Sequence, residues 1–112
     1  MTYDQLADFV ERRMRMSHIY QPVMLLTLLQ HDGQCSETDI AKAISVHDPT
    51  QIEYYEAITR NMVGRVLTKH GVVKREGKHF SLISARPLSK EQRVELRQLL
   101  EAKLDQYVAK RG

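Results

Sequence analysis

Apolar residues recur at three- and four-residue steps along most of this chain, and that spacing predicts helices. Leu6, Phe9, Val10 and Met14 make the first stripe, and Thr2 and Gln5 stand in capping-box spacing ahead of it, so a helix is expected over residues 2–16. Asp4, Asp8 and Glu11 share one face of it, and Arg12, Arg13 and Arg15 cluster near its end, both suited to the helix dipole. Val23, Met24, Leu25, Leu26, Leu28 and Leu29 then leave no polar side, the pattern of a buried central helix. Pro22 fits the first turn of that helix and Gly33 its left-handed stop.

Gln34-Cys35 is short and extended enough for a first strand. Ser36 with Asp39 opens a helix whose inward residues are Ile40, Ala43 and Ile44. Asp48 as cap, Pro49 as first residue and Gln51 as box partner then start another, so the turn between the two helices is only a few residues long. The second of these runs to His70, about 30 Å if unbroken, and Gly71 ends it. On a regular wheel Ile52, Tyr55, Ile58, Met62, Val63, Val66 and Leu67 form its core half, with Thr59 among them. Glu53, Tyr54, Ala57, Arg60, Asn61, Gly64, Arg65 and Thr68 form the opposite half, where Ala57 and Gly64 let a partner surface come close.

Val72-Val73 and Phe80-Ser81-Leu82 read as two strands around a Glu76-Gly77 turn, made basic by Lys74, Arg75, Lys78 and His79. Pro87 breaks the chain, and Ser89 to Gln92 caps a last helix over 89–110 with the stripe Leu96, Leu99, Leu100, Leu104, Tyr107 and Val108. That stripe either packs on the first helix or pairs with a second copy of the protein.

This order predicts a mainly α fold with a small β-hairpin: a winged helix-turn-helix at 22–83, with an added helix at each end, in one domain over 1–112. Composition agrees, since 112 residues with 42% apolar and 28% charged side chains suit one ordinary core. A net charge of +3 permits phosphate binding without requiring it. The lone Cys35 precludes an internal disulfide, and the start Met1-Thr2-Tyr3-Asp4 has no signal-peptide order. Val23 to Leu29 is far shorter than the roughly 20 apolar residues a membrane span needs, so a cytoplasmic protein with no membrane partner is expected.

His18, His31, His47, His70 and His79 lack the local partners of a metal site, and no phosphate loop or nucleophile motif occurs. No enzyme activity, catalytic residue, metal or cofactor is therefore expected. What remains is contact chemistry. Tyr54, Arg60, Asn61, Gly64, Arg65, Thr68 and Lys69 on the long helix, with Lys74, Arg75, Lys78 and His79 on the hairpin, are the candidate DNA-binding residues. Arginine and asparagine can read guanine and adenine edges in the major groove, while the hairpin cations would lie along the backbone. A solvated polar face and a lysine-guarded sheet edge would show the same residue types.

Two stretches, Arg13-Met14-Arg15-Met16-Ser17-His18-Ile19-Tyr20-Gln21-Pro22 and Tyr54-Tyr55-Glu56-Ala57-Ile58-Thr59-Arg60-Asn61-Met62-Val63-Gly64-Arg65-Val66-Leu67, add a resemblance. They resemble the N-terminal winged-helix domain that precedes an HNH nuclease module, or in other cases a HIT-type module, in bacterial proteins. The likeness runs from Thr2 to Gly112. In such proteins the nuclease follows a position like Ala109-Lys110-Arg111-Gly112, and no His-Asn-His or zinc-ribbon residues occur here. The resemblance thus implies binding of double-stranded DNA without cleavage, as a targeting module for restriction or defence, including reading of a modified base with Tyr54 as the aromatic to watch, and a separate nuclease as partner. The alternative is a protein-contact module, either a homodimer through the last helix or an adaptor for a separate enzyme, recognisable by an apolar surface patch on Leu96, Leu100 and Leu104 with no affinity for DNA.

Overall fold

A computed structural model of the protein describes residues 1–16, 19–46, 52–83 and 87–111. Helix α1 (Tyr3–Asp8) opens on the expected box, in which the Gln5 amide donates to Thr2 Oγ1 and the Thr2 amide to Gln5 Oε1. It runs into a π-helical turn, Phe9–Arg13, closed by a five-residue bond from the Met14 amide to the Phe9 carbonyl. Met14 is already extended, so this helix ends at Arg13 and not at Met16. A π turn is poorly propagated, which makes it a natural place for a helix to stop.

Helix α2 (Tyr20–Gln30) is central, with Met24, Leu25 and Leu28 buried. Strand β1 (Gln34–Ser36) leads into α3 (Glu37–Ile44), where the Ser36 hydroxyl accepts from the Asp39 amide. Its buried side is Glu37, Ile40, Ala41 and Ile44, so Ala41 takes the place expected of Ala43. The cap expected at Asp48, Pro49 and Gln51 lies outside the described residues, as do Ser17, His18, His47, Ala85 and Arg86.

The long helix is a rod in three parts: α4 (Ile52–Ile58), a π turn over Thr59–Val63, and α5 (Gly64–Lys69). The π turn is visible in the Gly64 amide, which donates to the Thr59 carbonyl five residues back. Buried Thr59 turns its hydroxyl to the Tyr55 carbonyl at 2.8 Å, as its place on the core side of the wheel requires. Gly71, at φ 75°, ends the rod in a left-handed conformation that a side chain resists.

Strands β2 (Val73–Glu76) and β3 (His79–Leu82) form the hairpin, with Gly77-Lys78 at its tip, one residue later than the spacing predicts. Glu76 is still paired in the ladder, opposite His79. β1 joins the other edge of β3, giving an antiparallel sheet in the order β1-β3-β2. Helix α6 (Lys90–Arg111) starts from the expected Ser89–Gln92 box and packs on α1 and α2. Leu96 and Leu100 are buried in that contact, and Lys103 donates to the Glu11 carbonyl at the end of the first helix. The protein is thus mainly helical with a three-stranded antiparallel sheet, and among the described residues no helix is long and apolar enough to cross a membrane.

Candidate nucleic-acid interface

One extra residue in the π turn rotates everything after it by about 100° relative to an unbroken helix. The consequence falls directly on the predicted site. Met62 and Val66, expected in the core, stand 42% and 36% exposed, and Gly64, expected on the outer face, is buried. A Cβ at Gly64 would run into the Thr59 carbonyl oxygen of the same rod and lie 2.8 Å from the Phe80 ring. The glycine therefore serves the π turn of its own rod and the close approach of that rod to β3, at the buried base of the groove.

Arg60 is also not free. Its Nη1 lies 2.8 Å from Oε1 of Glu37, whose side chain is almost wholly buried at the start of α3. Thr38 adds a second tie, its hydroxyl donating to Glu56 at 2.8 Å. Together they fix how α3 crosses the rod. A buried carboxylate needs a paired charge, and Arg60 supplies it while keeping 38% of its side chain exposed. Sequence reading missed Glu37, although an acid beside the apolar Ile40 and Ala41 on a helix face was the available signal.

Between the rod and the hairpin runs a groove of about 440 Å³, lined by Arg60, Asn61, Gly64, Arg65, Thr68, Lys69, Arg75 and Phe80. None of these is acidic. Asn61, Arg65, Thr68 and Lys69 present exposed side chains to it, and Thr68 keeps a hydrogen bond back to the Gly64 carbonyl. Arg75 reaches in from β2, its guanidinium 6.0 Å from the Phe80 ring centre and its Nε donating to the Gly77 carbonyl at 2.8 Å. Phe80 itself is the buried floor, paired across β1 with buried Cys35. Burial, then the charge of Asp39, pushes the Cys35 thiol up to about 11, so it is inert at neutral pH.

The remaining predicted residues lie outside this groove. Lys74 pairs with Glu76 on the exposed face of β2 at 2.9 Å, and that lysine holds the Glu76 carboxyl below its usual range. Lys78 sits at the hairpin tip, where its carbonyl accepts from the Glu37 amide, and His79 is exposed on β3. Tyr54 is exposed two turns earlier on α4, edge-on to Tyr55 with ring centres 5.2 Å apart. Both belong with Tyr20, whose phenol is raised by burial and then by Tyr54, Tyr55 and Tyr107. No protein-family model, curated protein or solved structure matches this chain.

Proposed function

We propose that this protein binds duplex DNA as a winged helix, with the second half of the rod in the major groove and the β2–β3 hairpin on the adjoining backbone. The observation that carries this reading is the acid-free groove in which Asn61, Arg65, Thr68 and Lys69 of the rod meet Arg75 of the hairpin. Asparagine and arginine offer the bidentate edges that adenine and guanine match, and lysine and arginine offer salt-dependent phosphate contacts. Arg65 and Asn61 are the base readers in this scheme. Lys69, Lys74, Arg75, Lys78 and His79 follow the backbone, while Gly64 and Arg60 hold the rod in position. Together with the resemblance of two stretches to domains that precede HNH nucleases, this makes the protein a DNA-targeting module for a nuclease in restriction or defence.

For the alternative of a dimer through α6, Leu96 and Leu100 are buried within the protein, which leaves only the half-buried Leu104 of the expected patch. The test is a gel-shift titration at two salt concentrations with methylated and unmethylated duplexes. Affinity is expected to fall steeply with salt. Arg65→Ala should relax preference at one base position by about 1 to 3 kcal/mol in a selection on random duplexes. Salt-independent binding, or an unchanged preference profile for Arg65→Ala, would sink the assignment.

A further inference from the structure

The other flank of the rod carries a second and larger cleft, of about 690 Å³, within the roughly 300–1,000 Å³ typical of small-molecule sites. Its walls come from the first helix, the start of α2 and the end of the rod. Tyr20, Met62 and Val66 give it an apolar lining over the buried Phe9 and Val63. Arg13, Arg15 and Lys69 give it cations, His70 adds an imidazole, and no acidic residue lines it. Phe9 lies beside two of these side chains: the His70 ring is 5.4 Å from it, and the Arg13 guanidinium 5.7 Å. Among the described residues, Arg13, Arg15 and Lys69 have no carboxylate partner.

Two further observations point to a ligand. Helix α2 begins at this cleft, its cap position Ile19 has no side chain able to bond the first amides, and its first turn holds no acid. An anion is favoured at such a positive helix end. Gln21, in that same turn, has a buried Oε1 with no donor among the described residues, while its Nε2 reaches the Arg15 carbonyl at 3.5 Å. That second bond assigns the amide orientation, because only the NH₂ can donate to a carbonyl.

We propose that this cleft binds a nucleoside monophosphate unit, with the phosphate between the α2 N-terminus and Arg13, Arg15 and Lys69, and the base against Tyr20, Met62 and Val66. Several cations and a helix end call for more than one negative charge, which favours phosphate over a carboxylate. Flat aromatic and apolar lining suits a base face. The unit has two sources, a free nucleotide or an unpaired nucleotide of a DNA strand. The inference does not depend on the duplex-binding reading, whose base readers Asn61 and Arg65 line the other groove, although Lys69 borders both.

The test is an amide NMR titration of the full chain with the four deoxynucleoside monophosphates, inorganic phosphate, the corresponding nucleosides, a fully paired duplex, and a duplex carrying one unpaired nucleotide. Mononucleotides are expected to shift Tyr20, Gln21 and Val66, none of which lines the duplex groove, in a saturable way, at least about tenfold more tightly than phosphate or nucleoside alone. Val66→Asp, at an exposed position that keeps the fold, should abolish those shifts, and Arg13→Glu should weaken them by about tenfold. If free nucleotides leave these amides still but the unpaired nucleotide moves them, the DNA strand is the source and the site stands. Equal affinity for inorganic phosphate, an unchanged response of Val66→Asp, or silence at Tyr20 and Gln21 with every probe would overturn it. A duplex that shifts Asn61 and Arg65 alone separates that failure from failure of the groove.

Discussion

The rod from Ile52 to Lys69 and the closing helix α6 are both long, yet they are held in different ways. α6 keeps one regular register over its 22 residues and docks through a stripe, Leu96 and Leu100, that any amphipathic helix would use. The rod changes register at Thr59–Val63 and docks through a glycine against an aromatic ring and an arginine against a buried acid. A stripe resists separation but tolerates small sliding and rotation. Contacts as specific as Gly64 on Phe80 and Arg60 on Glu37 fix both, as a helix that presents side chains to a groove requires.

The sharpest challenge to that contrast is Leu100→Ala in α6. Removing a wholly buried leucine should cost about 3 to 4 kcal/mol in urea unfolding, with hydrogen exchange rising first in α6 and α1. Amide shifts of Asn61 and Arg65 should stay put. Their movement would show that α6 also sets the rod and that the two helices are not separately held. Arg60→Ala comes next, at about 3 kcal/mol, the low end for breaking a buried pair because Arg60 reaches solvent while Glu37 does not. Glu37→Met combined with Arg60→Met should recover most of that loss. Measuring duplex affinity on the recovered double variant then separates a clamp from a base reader: unchanged preference marks Arg60 as a clamp.

Gly64→Ala should follow at about 1 to 3 kcal/mol, the range for overpacking a tight contact. Its sign is the informative part. In an exposed helix interior the same change stabilises by roughly 0.5 to 1 kcal/mol, so a gain in stability would mean that neither the Thr59 carbonyl of the π turn nor the Phe80 ring crowds this position.

Most of the element order was legible because local chemistry determines it. Thr2 and Gln5, Ser36 and Asp39, and Ser89 and Gln92 all cap the helices that their spacing predicts. Gly71 ends the rod, and Gln34-Cys35 pairs with the hairpin. The stripe of α6 was read correctly at Leu96 and Leu100 because nothing interrupts that helix. The site was less legible for one reason. A π turn carries no marker residue, and the run Thr59–Val63 has no proline and no apolar break that would signal the extra hydrogen-bond step. A wheel drawn at constant pitch therefore placed Asn61, Arg65 and Thr68 on the right side, and Gly64, Met62 and Val66 on the wrong ones.

That error gives the smallest effect its value. Val63 and Val66 both fall in the core half of an unbroken wheel, so regular pitch predicts similar losses on truncation. With the π turn, Val63 is 1% exposed and Val66 is 36% exposed. Val63→Ala should then lose about 2 kcal/mol, from two buried methylene equivalents and the space they leave. Val66→Ala should stay within about 0.5 kcal/mol of the unsubstituted protein, as surface changes do. Paired urea titrations resolve that gap, and equal losses would restore the regular helix, return Gly64 to the outer face, and close the cleft that Val66 lines.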